Sequence, residues 1–380
     1  MIALYTLTSQ LHKYMPAVEA EPFITSVEAA LGEKFVIMGD DFSTYGQYQQ
    51  SVIYVRTGGT EGIFKSLGLS GEIRLLTSGK SNSLAAAMEI LSYIRSQGGT
   101  GEILHGGAGY IAGRLRSEIN LQNGDRWIRA LPPVNLGGAR LGVIGHPSDW
   151  LISSDVDYSE AASRLNAELV DIDISELVEE IGKYPCNLRA FEGSEAIHKA
   201  LCSIAERHNL SGLTLRCFDL LDTVGNTGCL ALARLNAAGI PSSCEGDIPA
   251  LISMMIANKL TGCPGFQCNL SRIEGDGLLF AHCTVPLSMV SSYKYDTHFE
   301  SGIGTAIKGE IPEGEVTIFK VSPDLHNMVA IPAKIIRNTS ENWLCRTQVV
   351  VEAHGAAEYF LNAPLANHHV IIPSMIFQDL

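Results

Sequence analysis

Positive charge is what this sequence most conspicuously lacks. Its 27 lysines and arginines stand against 41 aspartates and glutamates, a net charge of -14 over 380 residues. With no basic helix and no basic-aromatic stripe, that balance excludes a nucleic-acid partner. Long apolar runs are missing too: none reaches the roughly 18 residues of a membrane-crossing helix, so no membrane partner is expected. The start, Met1-Ile2-Ala3-Leu4-Tyr5-Thr6, reads as a strand, without a basic stretch leading into a cleavable apolar one. Nine cysteines form neither a CxxC pair nor a zinc-ribbon spacing. Reduced, mostly buried thiols and a cytoplasmic location follow as expectations. Gly58-Gly59-Thr60-Glu61 and Gly106-Gly107-Ala108-Gly109 follow strands, but neither matches GxGxxG or GxxxxGK[ST], so no nucleotide loop is expected.

A chain of this length exceeds one ordinary core, and its texture changes twice. Residues 1–135 alternate short β-branched runs (Val36-Ile37-Met38, Val52-Ile53-Tyr54-Val55, Arg74-Leu75-Leu76-Thr77) with helical patterns such as the one opening near Ser83. Strand, loop and helix in repetition indicate a parallel sheet covered on both faces. After Pro132-Pro133 and Gly137-Gly138 the alternation resumes over residues 136–270, with strands at Leu141-Gly142-Val143-Ile144 and Leu213-Thr214-Leu215. Residues 271–380 read instead as short strands separated by Gly, Asp and Pro turns, a largely antiparallel β domain.

The richest stretch is Cys244-Glu245-Gly246-Asp247-Ile248-Pro249-Ala250, two carboxylates between a strand end and a helix with proline in its first turn. In an open parallel sheet such loops line the ligand crevice. Acids so close to Leu, Ile and Met need a cation or a proton to offset burial; helix capping by Asp247 is the alternative. Asp219 and Asp222 follow the preceding strand in an equally apolar loop, and the pattern does not choose between them. Of His368 and His369 only one can face a site if the segment is extended. Carboxylates and an imidazole with open positions suit Mn²⁺, Mg²⁺ or Co²⁺ and the polarisation of a small sugar or polyol. His282, His298, Trp150 and Arg346 are candidates for substrate contact.

Taken together, Ser83-Leu84-Ala85-Ala86-Ala87-Met88-Glu89, Gly142-Val143-Ile144-Gly145-His146-Pro147-Ser148-Asp149-Trp150, Cys244-Glu245-Gly246-Asp247, Leu279-Phe280-Ala281-His282-Cys283-Thr284, Cys345-Arg346-Thr347-Gln348 and Asn367-His368-His369 resemble the L-fucose/L-arabinose isomerase superfamily, in its shorter fucose-isomerase-like members. The resemblance implies two Rossmann-like parallel-sheet domains, a β-rich C-terminal domain and a homo-oligomer, a trimer or hexamer. It implies Mn²⁺ held by two acids and a C-terminal histidine, the acids also moving the proton. Here the later acid falls on Asp247 or Glu245, and the histidine on His368 or His369. The earlier acid, usually glutamate, is replaced by Asp219 or Asp222 as the nearest carboxylates. Catalytic roles are thus expected of Asp247, Asp219 and Glu245.

The reading is a metal-dependent aldose–ketose isomerase working through an enediolate. A metal-dependent lyase or epimerase, or a noncatalytic sugar-binding protein, are the alternatives.

Overall fold

The apolar, β-branched runs of the first third form a parallel sheet. Its strands are β1 (Ile2–Leu7), β2 (Val36–Gly39), β3 (Gln50–Val55), β4 (Glu72–Thr77) and β5 (Thr100–Leu104), in the order β2-β1-β3-β4-β5. The structure, a computed structural model, describes residues 1–9, 15–119 and 124–374. Along β3, alternate side chains go to opposite faces. Ile53 and Val55 join the cluster under the helix Ser83–Ser96, while Val52 and Tyr54 join the one under Pro22–Leu31 and Ala108–Leu115. A sheet buried on both faces has no use for polar alternation, which is why these strands read as continuous apolar runs.

The chain then makes β6 (Ile128–Ala130) and enters a second parallel sheet of β7 (Ala139–Ile144), β8 (Ala167–Ile172), β9 (Gly212–Leu215) and β10 (Ser242–Cys244). The order is β10-β9-β7-β8, so the order reverses at β7 and the crevice opens beyond the carboxyl ends of β7, β9 and β10. The helix that follows, Ile248–Thr261, has ten consecutive buried residues from Ile248 to Ala257. Apolar all round, it lies between this sheet and the C-terminal strands.

Those strands are β11 (Phe266–Glu274), β12 (Gly277–His282), β13 (Ser292–Asp296), β14 (Ala306–Glu310), β15 (Gly314–Val321), β16 (Asn327–Asn338), β17 (Thr347–Glu352) and β18 (His369–Ile372). Six of them run β15-β18-β11-β12-β17-β16, and β16 pairs back onto β15, closing an antiparallel barrel. Strands β13 and β14 form a separate hairpin. Strand β6, although it precedes the second sheet, pairs with β16 of the barrel. The architecture is therefore two Rossmann-like parallel sheets followed by a β-rich barrel, as the sequence suggests. Among the described residues, no helix is long and apolar enough to cross a membrane.

Buried polar clamps join these bodies. Gln267 on β11 accepts a hydrogen bond from Cys244 N at 2.7 Å and donates one to Cys244 O at 3.3 Å, so the barrel grips the end of β10. On the N-terminal side, His105 lies between Thr77 O, 3.2 Å from Nδ1, and the Ile273 N–H, which donates to Nε2 at 3.1 Å. Gly79 makes this approach possible: a Cβ there would stand 2.6 Å from Ser271 O and 2.8 Å from His105 Cε1.

The His105 geometry fixes the neutral tautomer with its proton on Nδ1, because Nε2 must accept. Burial pushes the imidazole down to about 4, the Thr77 carbonyl only partly opposing it. In the unfolded chain the same group titrates near ~6.5. The folded state therefore binds fewer protons between those values, and stability falls as pH drops from about 6.5 towards 4, by up to about 3 kcal/mol. Denaturant unfolding across that window should show the loss in the wild-type protein and a flatter slope in His105→Gln; an unchanged slope would mean that His105 does not carry the effect.

Candidate functional site

Three strand-exit loops meet at the crevice: residues 145–150 after β7, 217–223 after β9 and 245–247 after β10. Glu245 has a left-handed backbone, φ 65°, followed by Gly246 at the same φ. This double turn folds the loop back on itself, and Ser148 Oγ donates to Glu245 O to pin it. A Cβ on Gly246 would come within 2.9 Å of His146 O and Ser148 N, so the two loops touch only because that position has no side chain. The turn presents the Glu245 carboxylate to the barrel.

Opposite it, β12 ends with His282 and β18 is preceded by His368. Glu245 Oε1 lies 3.6 Å from His282 Nε2 and 3.5 Å from His368 Nε2. One ligand atom from each of the three residues falls within 4.8 Å of the others, a cluster able to hold a metal ion. Donors bonded at ~2.1–2.2 Å around one ion stand ~3.0–3.6 Å apart, a range that both spacings from Glu245 meet. His282 and His368 are buried, and His368 Nε2 has no hydrogen-bond partner. Its nearest charged neighbour is the Glu245 carboxylate, and two imidazoles with one carboxylate make a donor set that suits a divalent ion.

The far sides of the two imidazoles are held. Thr284 Oγ1 is 2.8 Å from His282 Nδ1. Behind His368, Nδ1 is 2.9 Å from Asp247 Oδ2, the carboxylate–histidine arrangement that fixes a metal-binding imidazole. Asp247 is fully buried; its other oxygen accepts from Ala250 N at 2.7 Å and so caps the helix Ile248–Thr261. Lys320, fully buried on β15, brings Nζ to 3.5 Å from Asp247 Oδ2. Glu89, also buried, takes hydrogen bonds from Ser153 N at 2.6 Å and Asn367 N at 2.8 Å, tying the first sheet's helix to the residue next to His368.

The electrostatics follow from these contacts. Burial would raise Asp247, but Lys320 and His368 outweigh it and hold the carboxyl below its ordinary range. Burial likewise opposes ionisation of Glu245, while the His368 charge and the two imidazole contacts hold it well below the usual value. His368 is disfavoured as a cation by burial, yet the facing Glu245 and Asp247 carboxylates push it up to about 10. A cluster that draws a proton so strongly is one that wants positive charge.

The other sequence candidates are dispersed. Asp219 is paired with Arg216, 3.1 Å from its Nε, and does not line the cleft in front of the cluster. Asp222 is exposed at that cleft's wall. His369 is buried with both nitrogens engaged, Nδ1 by Asn367 O and Nε2 by Tyr359 OH, each at 2.8 Å. Of the adjacent pair, the one facing Glu245 is thus His368. Trp150 points its Nε1 at Glu245 Oε2 from 3.4 Å and lies under the Arg216 guanidinium. His298 bonds Ser301 Oγ and meets Phe218 edge-on, whereas Arg346 is spent on Thr297 and Asp296.

The cleft has a volume of about 390 Å³, and its walls include Glu61, Asn82, Trp150, Glu245, Asn269 and Asn367. Asn82, Asn269 and Asn367 each carry a buried Oδ1 without a partner. Of this wall the sequence singles out Glu245, Trp150 and Asp222, but neither the three asparagines, nor Glu61, nor Lys320 behind it. A lone lysine in the apolar strand Val316-Thr317-Ile318-Phe319-Lys320-Val321 was the available signal.

No protein-family model matches the chain. It is similar to the sulfoquinovose isomerase of Priestia aryabhattai, 25% identical over 247 residues, which cover 57% of this chain and 54% of that protein. It is also similar to the sulfoquinovose isomerase of Alkalicoccus urumqiensis, 30% identical over 126 residues, 31% of this chain and 28% of that protein. The match thus spans about half the length of the first of these relatives. Both likenesses are partial, and neither singles out the fucose and arabinose enzymes.

Removing one partner of a buried ion pair leaves an uncompensated charge, which costs about 3–5 kcal/mol. Lys320→Met should lose part of that in urea unfolding, because His368 still faces Asp247 at 2.9 Å. Adding Asp247→Asn, which retains a helix-capping oxygen, should restore most of it. A neutral single variant would mean that the charge of Asp247 is met elsewhere.

Proposed function

We propose that this protein is a metal-dependent aldose–ketose isomerase acting on an open-chain sugar or sugar derivative through an enediolate. The observation that carries the reading is the convergence of His282 Nε2 and His368 Nε2 on the Glu245 carboxylate, which itself lines a cleft rich in free oxygen acceptors. The likeness to sulfoquinovose isomerases supports the same reading, as does the resemblance to fucose-isomerase-like proteins.

Two imidazoles and one carboxylate favour Mn²⁺ or Co²⁺ over Mg²⁺, which prefers oxygen donors. When bound, such an ion would draw electron density from a sugar carbonyl and its neighbouring hydroxyl. In this reading Glu245, His282 and His368 are the protein ligands. Asp247, sealed behind His368, serves to orient that imidazole and keep it basic, and Lys320 balances Asp247. The carboxamide oxygens of Asn82, Asn269 and Asn367 accept hydroxyl hydrogen bonds and align the carbon chain. Trp150 and Phe218 give one wall an apolar surface that excludes water from the reacting carbons.

The test is chemical. Protein stripped of metal and reloaded with Mn²⁺ is incubated in D₂O with a panel of aldoses and ketoses, sulfoquinovose included. Interconversion with deuterium at C1 or C2, lost on chelation, is the expected result. Asp247→Asn should weaken Mn²⁺ binding by roughly 10–100-fold, as loss of a ligand-orienting carboxylate does. Carbon–carbon cleavage would favour a lyase, and sugar binding without metal or turnover a noncatalytic protein; either would overturn the isomerase reading.

A further inference from the structure

Moving a hydrogen between adjacent carbons requires a group that takes the proton from one and returns it to the other. The expected carriers are poorly placed for that work. Glu245 is committed to the imidazoles through Oε1, Asp247 is sealed beneath His368, and Asp219 is held by Arg216. Among the described residues, the remaining carboxyls on the cleft wall are Glu61, Asp222 and Glu300. Asp222 is exposed, and Glu300 takes a hydrogen bond from Asn82 Nδ2 at 2.8 Å.

Glu61 differs from both. It opens the helix Glu61–Ser66 after the Gly58-Gly59 turn, and is only 3% exposed. Its carboxyl is anchored by the backbone amides of Glu61 and Thr60, yet Oε2 is buried with no hydrogen-bond partner. An oxygen in that condition costs stability unless a ligand meets it, and strain of this kind concentrates at functional sites. The unpartnered oxygens of Asn82, Asn269 and Asn367 line the same cleft, so a sugar held through its hydroxyls would bring its carbons to this wall.

We propose that Glu61 is the catalytic carboxyl that carries the proton between the two substrate carbons, reaching the sugar from the N-terminal sheet. The inference rests on the isomerase reading above. In the aldose-to-ketose direction, Glu61 takes the proton from C2 while the C–H electron pair passes into the enediolate. It then returns that proton to C1 as the C2 carbonyl forms, and the hydroxyl proton of O2 passes to O1. The sugar gains and loses no atoms overall, the carried proton exchanges with solvent while it sits on Glu61, and no oxidant or reductant is needed. Burial, with the charges of Glu89 and Glu245 adding to it, pushes the Glu61 carboxyl up to about 8. A carrier near the working pH both accepts and releases a proton readily.

The experiment compares Mn²⁺-loaded wild-type, Glu61→Gln and Glu61→Asp proteins on an aldose that the wild type converts. It reads kcat, KM, deuterium uptake at C1 and C2, bound manganese and Tm. Glu61→Gln should lose about 10²–10⁴-fold in kcat and in deuterium uptake, with KM and manganese content held and Tm unchanged or raised. Glu61→Asp, which keeps the carboxyl on a shorter arm, should recover part of the exchange. Deuterium uptake in Glu61→Gln within a few-fold of the wild type would overturn the proposal and leave the isomerase reading standing. A loss explained by missing manganese or a lowered Tm would overturn it too, by making Glu61 structural. A wild type that converts no sugar and takes up no deuterium would overturn both.

Discussion

The site depends on a carboxylate that never reaches the cleft. Asp247 is fully buried, and an ionised carboxylate there is tolerable only because it is met on every side. Ala250 N, His368 Nδ1 and Lys320 Nζ meet it from a helix, the entry to β18 and β15 respectively. One buried charge therefore sets the helix that follows β10, the orientation of His368 and the docking of the barrel onto the second sheet. Its neighbour two residues earlier, Glu245, is turned the other way by two successive left-handed residues and faces the imidazoles.

The elements that bear Glu245, His282 and His368 come from separate bodies, so their meeting needs rigid joints. Glu89 does this on the side of the first sheet, gripping residue 153 of the second unit and residue 367 of the last. Gln267 does it between β10 and β11, and His105 between β5 and β11. Each joint is a polar side chain satisfied by backbone groups in a buried setting, which specifies one register where apolar contact alone would permit sliding. The cleft that results is walled by the first sheet's loops, the second sheet's loops and the barrel, and its free oxygens belong to residues of the first unit and the barrel.

Much of this was legible in the chain. Continuous apolar runs separated by helical patterns gave away both parallel sheets, because strands buried on two faces carry no polar alternation. Glu245 and Asp247 stood out as acids amid Leu, Ile and Met, and the adjacent histidines as a pair of which one must turn inward. Other features were hidden by sequence distance. That β6 pairs with β16, or that β18 inserts between β15 and β11, depends on strands far apart in the chain, which no local pattern encodes. For His282, alternation along β12 says only that it faces inward, not that it faces Glu245. Glu61 and the three asparagines carry ordinary residue types in ordinary loops; only their shared lack of partners, visible in three dimensions, marks them.

The central claim is that Glu245, His282 and His368 hold one divalent ion. Anomalous diffraction at the manganese edge, from crystals of Mn²⁺-loaded protein, tests it most directly. The account predicts a single strong peak within about 2.3 Å of Glu245 Oε1, His282 Nε2 and His368 Nε2, with Asp247 still bonded to the far side of His368. A peak elsewhere, or none at this cluster under saturating Mn²⁺, would contradict it.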